Sequence, residues 1–146
     1  MLSAITVGKE WRGIIPLHST RNDVERLFGL SSYGGGYAYD FKNERVFFQY
    51  QYPDNECGKI WGRWDVPLNT VLEITVYPKN KMLFVDLKMD VSKFKETETD
   101  IPGSYRYFDE EDGISYAVDN GVVAQIRYLP SAKDKHLACP EEGKGN

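Results

Sequence analysis

Residues 114–129, Ile-Ser-Tyr-Ala-Val-Asp-Asn-Gly-Val-Val-Ala-Gln-Ile-Arg-Tyr-Leu, carry the strongest fold signal in this chain of 146 residues. Two runs of alternating polarity, 114–119 and 122–129, flank the dipeptide Asn120-Gly121. A two-residue type I′ turn needs positive φ at both central positions, and Asn-Gly tolerates that conformation well. The stretch therefore predicts an antiparallel β-hairpin.

Other alternating runs extend this hairpin into a sheet, because period-2 alternation places every second side chain on the same face of a strand. Residues 82–89 fit either a strand or a helix, and the alternation of Leu83, Val85, Leu87 and Met89 favours a strand. One capped helical turn is predicted at 90–94, followed by a polar loop as far as Pro102-Gly103. The strands predicted before the hairpin are 45–52 (Val46, Phe48, Tyr50 and Tyr52 on one face), 70–77 (Leu72, Ile74 and Val76 inward), 82–89 and 104–108.

A short helix is predicted within residues 19–29. Asp23 follows Thr20 by three residues, which is the spacing of a capping box. Val24, Leu27 and Phe28 then fall on one face, and Gly29 suits the position after a helix, where φ is positive. A helix this short needs a sheet to pack against.

These elements predict an α+β fold, an antiparallel sheet of about five to seven strands with one short N-terminal helix packed on one face. The length suits a single domain over 1–146, with 1–10 and 141–146 extended or frayed. No run approaches the roughly 18 apolar residues of a spanning helix, so no integral membrane segment is expected. A formal net charge of −4 argues against a nucleic-acid partner, which normally needs a basic surface.

The two cysteines, Cys57 and Cys139, lie in polar, turn-like contexts, unlike most buried thiols. In an oxidising compartment a disulfide between them would close a loop of about 80 residues and add about 4 kcal/mol of stability. Free thiols are the alternative. A zinc site needs two close ligand pairs, and His136 with Cys139 makes one, so no metal is expected. The first residues lack a complete leader peptide, which indicates either a cytosolic protein or one whose leader has been removed; the disulfide favours the second.

None of the motifs in the chain predicts catalysis. His18 and Ser19 are adjacent, but adjacency does not build a nucleophile and its base, and Ser19 or Thr20 is needed as a helix cap. The acidic stretch 109–112 could hold calcium, although it lacks the spacing of an EF-hand loop and such acids are usually solvated. The sequence therefore predicts neither an enzyme nor a cofactor.

Aromatic residues, 14% of the chain, are the best remaining functional signal. Large rings in irregular segments are costly to expose without a partner, and they are enriched at interfaces. The same rings could stack on sugars, or they could fill the ends of the core. The candidate binding residues in the two irregular segments, 31–39 and 53–67, are Tyr33, Tyr37, Tyr39, Trp61 and Trp64.

Near its N-terminus the chain carries the motif Trp11-Arg12-Gly13-Ile14, followed by Pro16-Leu17-His18-Ser19-Thr20-Arg21. This motif, with further matching segments as far as 134–139, resembles an uncharacterised family of small secreted bacterial proteins that is frequent in acidobacteria. The resemblance implies export and supports the disulfide, and it implies no catalytic residues. The segment 20–29 is more distantly similar to BamE/SmpA lipoproteins and β-lactamase inhibitor proteins, in which such a helix leads into antiparallel strands. This chain departs from them in having one such helix and no lipidation cysteine near its start.

We therefore expect a non-enzymatic, extracytoplasmic (periplasmic or secreted) protein-binding or assembly protein. A subunit of a larger surface or envelope complex fits this description, with a protein partner or self-assembly. The alternative function is a small-ligand, carbohydrate-like binding module that uses the aromatic loops.

Overall fold

Seven antiparallel strands form one sheet in the structure, a computed structural model that describes residues 8–31 and 33–141. The strand order across the sheet is β1-β2-β3-β7-β6-β5-β4. With one α-helix among the described residues, this is the α+β class that the sequence predicts. The strands are β1 (Ala38–Asp40), β2 (Glu44–Tyr50), β3 (Val71–Pro78), β4 (Lys95–Glu98), β5 (Ser104–Asp109), β6 (Ile114–Asp119) and β7 (Val122–Tyr128).

The hairpin of β6 and β7 has the turn that its sequence predicts. Asn120 has φ 49° and Gly121 has φ 82°, so both central residues adopt the positive φ of a type I′ turn. The backbone N–H of Asn120 also donates to the Gly103 carbonyl at 2.8 Å, which connects the turn to the loop before β5. The prediction of this hairpin is confirmed.

The helix α1 (Arg21–Phe28) begins with the predicted capping box. The backbone N–H of Thr20 donates to the Asp23 carboxylate at 2.8 Å, and the backbone N–H of Asp23 donates to Thr20 Oγ1 at 3.3 Å. At the other end, Gly29 has φ 78° and donates its N–H to the Glu25 carbonyl. The helix is therefore fixed at each end by local hydrogen bonds.

Buried side chains on one face of the sheet belong to two hydrophobic clusters, and we call this the core face. The first cluster contains alternate residues of β2 and β3 together with Val24 and Trp11. The Trp11 ring lies 5.4 Å from Phe28, 5.8 Å from Phe41 and 5.7 Å from Phe48 between centroids, so aromatic contacts dominate this part of the core. The fully buried aliphatic members are Ile14, Val24, Val46, Val71, Ile74 and Val76.

Residues 82–89 cover the other half of the core face, and here the prediction of a strand is wrong. Leu83 makes an isolated bridge to Val122, and the chain then turns through a 3-10 helix at Phe84–Leu87. Phe84 and Leu87, three residues apart, pack on the core with Met82 and Met89, while Val85 is 77% exposed. The apolar spacing is that of a 3-10 turn, and the apparent alternation misled the sequence interpretation. The next turn, Val91–Lys93 after its cap Asp90, lies where it is predicted.

The polar loop predicted after residue 94 is also partly wrong, because Lys95–Glu98 form the edge strand β4. All four of its residues are exposed. The strand pairs through its backbone with β5, as in Glu96 opposite Tyr107. Such a strand has no buried face and hence no hydrophobic alternation, and its charges protect the sheet edge from further pairing.

Buried tyrosines should make the fold less stable at alkaline pH. Burial raises the pKa of Tyr128 from 10.0 to about 12, and burial also raises the pKa of Tyr50 and Tyr116. Above pH 10 the unfolded chain releases these phenolic protons while the folded chain keeps them, so the free energy of unfolding should fall as the pH rises from 10 to about 12. Urea melts across this range test it. Tyr128→Phe should show a shallower fall, and an equal fall in that variant would contradict the assignment.

The remaining predictions concern the chain ends. Residues 8–10 are described, and Lys9 donates its backbone N–H to the Asp112 carbonyl at 3.0 Å. Residues 1–7 and 142–146, predicted to be extended or frayed, lie outside the described part of the chain. None of the described helices has the length and apolar character needed to cross a membrane.

Candidate functional site

The second face of the sheet, which we call the open face, carries the alternate residues of the central strands. Gln49 lies opposite Glu73, and Thr75 lies opposite both Phe47 and Arg127, so β2, β3 and β7 present these side chains side by side. A cavity of about 560 Å³ lies between this face and residues 51–64. Its lining consists of Gln49, Gln51, Tyr52, Asn55, Trp61, Arg63, Trp64, Leu72, Glu73, Phe108, Arg127, Leu129 and Pro130.

The floor of the cavity carries an ion pair between neighbouring strands. Arg127 Nε donates to Glu73 Oε1 at 2.6 Å, and a second guanidinium nitrogen contacts the same oxygen. The two side chains are 32% and 21% exposed, so the pair is partly shielded from water. The pair holds both groups in fixed positions in the cavity lining.

A β-bulge adds an apolar contact to this floor. The β2–β3 register shifts between Gln49 and Tyr50, so that Tyr50 pairs with Val71 and Leu72 has no partner on β2. Val71 then takes the core position, whereas Leu72 lines the cavity and is 6% exposed. Leu72 is buried, as predicted, but it lines the cavity and does not join the cluster of Val71 and Ile74, because a bulge inverts the alternation at that point.

The wall of the cavity is the loop that carries both tryptophans, and the C-terminal segment holds it in place. Asp65 donates its N–H to the Leu137 carbonyl at 2.7 Å, and Cys139 donates its N–H to the Arg63 carbonyl at 2.9 Å. A disulfide joins Cys57 to Cys139, with 5.5 Å between the Cα atoms. The predicted disulfide is present in the structure, and free thiols are not.

A close backbone approach shapes the same loop. A Cβ atom at Gly62 would lie 2.4 Å from the carbonyl oxygen of Glu56, which real Cβ atoms do not tolerate. The Gly62 N–H donates to the Lys59 carbonyl at 3.0 Å. Glycine at 62 therefore allows the chain to pass close to the Glu56 carbonyl at the end of the turn that carries Trp61.

Gln51 is the most constrained polar group in the cavity. Its side chain is buried, with the residue 2% exposed, and Nε2 donates to the carbonyl oxygens of Trp64 at 3.0 Å and Val66 at 3.5 Å. These two acceptors fix the orientation of the amide. Its Oε1 is buried without a hydrogen-bond donor among the described residues, as is Oδ1 of Asn55. A buried acceptor without a donor is costly, and although both residues line the cavity, these two oxygens have almost no accessible surface.

Of the five predicted binding residues, Trp61 and Trp64 lie in this cavity. Trp61 is 64% exposed, which leaves much of its ring available. Tyr37 lines an adjoining hollow that shares Gln49, Tyr52 and Glu73 with the cavity. Three of the predicted aromatic side chains thus line these two adjoining hollows, which together we call the groove.

Tyr33 and Tyr39 lie elsewhere. Tyr33 is exposed, under the Arg45 guanidinium at 5.6 Å, and lines neither hollow. Tyr39 was placed in an irregular segment by its sequence, but it belongs to strand β1 and is 7% exposed. Its hydroxyl donates to the Gly29 carbonyl at 2.8 Å, so its ring and its hydroxyl are both used inside the fold.

Sequence interpretation missed several residues of the groove. Tyr52 was predicted to continue the inward face of the strand at 45–52, but β2 ends at Tyr50 and Tyr52 is 47% exposed. Gln51 and Arg127 occupy alternating polar positions, which identifies their face but not their neighbours. Arg63 had no signal beyond its place between the two tryptophans.

The other candidate sites are occupied by internal contacts. His18 Nε2 lies 2.6 Å from Asp134 Oδ1, while Ser19 Oγ accepts the N–H of Ile15, so the adjacent pair does not form a dyad. In the acidic turn, Asp112 pairs with Lys93 and Lys133, each at 3.3 Å. In residues 8–31 and 33–141, no group of three or more His, Cys, Asp or Glu side chains could hold a metal ion.

Comparison with known proteins finds no match for this chain. No protein-family model matches the chain, and neither a curated protein nor a solved structure matches it. The function must therefore be argued from the groove itself.

Proposed function

We propose that this protein is a non-enzymatic, extracytoplasmic binding protein whose ligand is a carbohydrate-like, polyhydroxylated molecule held in the groove of the open face. The observation that carries the proposal is a cavity lined by the rings of Trp61 and Trp64 together with the exposed amide of Gln49. A sugar offers both hydroxyl groups for hydrogen bonds and a flat C–H face. The cavity volume of about 560 Å³ falls in the range typical of small-ligand sites.

The mixture of side chains in the groove supports a sugar over a purely apolar ligand. An aromatic ring has a negative face, which attracts the partly positive C–H groups of a sugar ring. Amide groups from Gln49, Gln51 and Asn55 line the cavity beside these rings. The adjoining hollow with Tyr37 lengthens the groove, which favours an oligosaccharide.

The Cys57–Cys139 disulfide supports the location. Disulfides persist in oxidising compartments and are rare in the cytosol, so the bond is compatible with an extracytoplasmic protein. Export, in the periplasm or outside the cell, is part of the proposal.

Trp61→Ala should weaken oligosaccharide binding at least tenfold and leave the melting temperature nearly unchanged, because the Trp61 side chain is 64% exposed. Isothermal calorimetry with hexose and uronic acid oligomers of three to six units measures the affinity. Ile60→Ala is the matched control, since Ile60 is 86% exposed and does not line the cavity. If none of these oligosaccharides binds, or if Trp61→Ala binds like the parent protein, the proposal is wrong.

A second candidate is the protein-binding or assembly role, as a subunit of a surface or envelope complex. Phe47 and Tyr77 are each 40% exposed in the middle of the open face, with ring centroids 5.7 Å apart. Exposed large aromatics of this kind are enriched at protein interfaces. Light scattering across a concentration series, with affinity capture from the source cells, would count against this role if the protein stays monomeric and captures no partner.

A further inference from the structure

We infer that the ligand of the groove carries a carboxylate, as acidic sugars do, and that Arg63 binds this group. The inference rests on the proposed function and names the substrate class within it. It follows from the charges that line the cavity and from the rigid attachment of the loop that carries Arg63.

The cavity lining is positive although the chain carries a formal net charge of −4. Its charged members are Arg63, Arg127 and Glu73. Glu73 is taken by Arg127 at 2.6 Å. Arg63, by contrast, has no carboxylate within ion-pair distance in the described part of the chain, and no side-chain hydrogen bond there either. One guanidinium charge is therefore left for a ligand.

Arg63 lies between Trp61 and Trp64 in the chain. Trp64 follows it directly and Trp61 lies two residues before it, with all three lining the cavity. Its backbone carbonyl accepts the Cys139 N–H at 2.9 Å, and the bridge between Trp64 and Ala138 holds the next residue. The base of the side chain is thus fixed, so less freedom is lost when the guanidinium binds.

A carboxylate is the anion that best fits this arrangement. A guanidinium presents parallel N–H donors that match the two oxygens of a carboxylate. A uronic acid carries that carboxylate on the same ring whose C–H face can stack on tryptophan and whose hydroxyls can hydrogen-bond to the exposed Gln49 amide in the cavity lining. One ligand class therefore fits both the unpaired arginine and the aromatic wall.

The test compares ligands that differ only in charge. Calorimetry at low salt measures how tightly the protein binds trimers of galacturonic, glucuronic and mannuronic acid. The same measurement is made with their methyl esters, which keep the hydroxyls and lose the charge. We expect at least one free acid to bind ten times more tightly than its ester, with an affinity that falls as sodium chloride is added. Arg63→Gln should remove this preference and keep the weaker binding of the ester. Arg106→Gln, an exposed arginine outside the cavity lining, is the matched control and should change neither.

The outcomes separate this inference from the proposed function. Equal binding of acid and ester, or an Arg63→Gln variant that keeps the preference, would overturn the inference and leave carbohydrate binding standing. If neither the uronates nor neutral oligohexoses bind, both fail. Retention of the parent melting temperature by Arg63→Gln ensures that a lost preference reflects the guanidinium and not the fold.

Discussion

Replacing Cys57 and Cys139 together by serine should lower the free energy of unfolding by about 4 kcal/mol. The disulfide joins residues 82 positions apart, so it removes a large loop from the unfolded ensemble. The chain-entropy relation gives about 4.5 kcal/mol for a loop of that length, and measured values are often somewhat lower. That loss is a large part of the roughly 5–15 kcal/mol that stabilises a typical domain.

Urea denaturation with and without reductant measures this effect. Reductant should shift the midpoint of the parent protein to that of the double-serine variant, while the variant itself should not respond. Since the described structure contains no free cysteine, any response of the variant would point to another cause. A change below about 1 kcal/mol would contradict the chain-entropy explanation of this disulfide.

The loss should also extend to ligand binding. The disulfide attaches the segment before Trp61 to residue 139, and Gly62 allows the chain to pass close to the Glu56 carbonyl. Without the bond, residues 53–62 have more conformations available, so the oligosaccharide binding that we propose would have to order them and should become weaker. Calorimetry below the melting temperature of the double variant separates this effect from unfolding.

The elements that could be predicted from the sequence are those fixed by local chemistry. The Asn120-Gly121 turn and the Thr20–Asp23 capping box each depend on a few neighbouring residues, and both occur as predicted. The strands with one buried face are also recognisable, because burial imposes a period of two. The strand β4 has no buried face, so nothing in its residues distinguishes it from a polar loop.

The candidate site was only partly predictable, because it is assembled across the sheet. Trp61 and Trp64 were identified because large rings stand out in an irregular segment. Gln51, which directly follows β2, and Arg127 of β7 are 76 positions apart in the chain. They line the same cavity because β2 and β7 both pair with β3. Tyr39 shows the opposite error, since a residue in a glycine-rich segment proved to be a buried strand residue. Strand order, which no local pattern fixes, decides which of these distant residues share the cavity.

A second large effect is expected at Asp134, where Asp134→Ala should cost about 3 kcal/mol of stability. The residue is fully buried. Oδ1 lies 2.6 Å from His18 Nε2, and Oδ2 accepts the N–H and the hydroxyl of Ser131, each at 3.1 Å. Alanine would leave the buried Ser131 N–H without its acceptor and cut the link from His18 to the 3-10 helix at Ala132–Leu137. Breaking one side of a buried, hydrogen-bonded pair is among the more costly single changes.

Two further variants make this expectation specific. Asp134→Asn keeps the volume and one acceptor oxygen, but its amide NH2 must face either His18 or Ser131, so it should cost less than alanine and more than nothing. Asp90→Ala is the matched control, because Asp90 also caps a 3-10 turn through Ser92 but is exposed. Urea melts should rank the losses as Asp134→Ala, then Asp134→Asn, then Asp90→Ala. If Asp134→Ala costs no more than Asp90→Ala, the pair joining residues 18 and 134 contributes nothing beyond a surface cap, and the N- and C-terminal segments must be held together by packing alone.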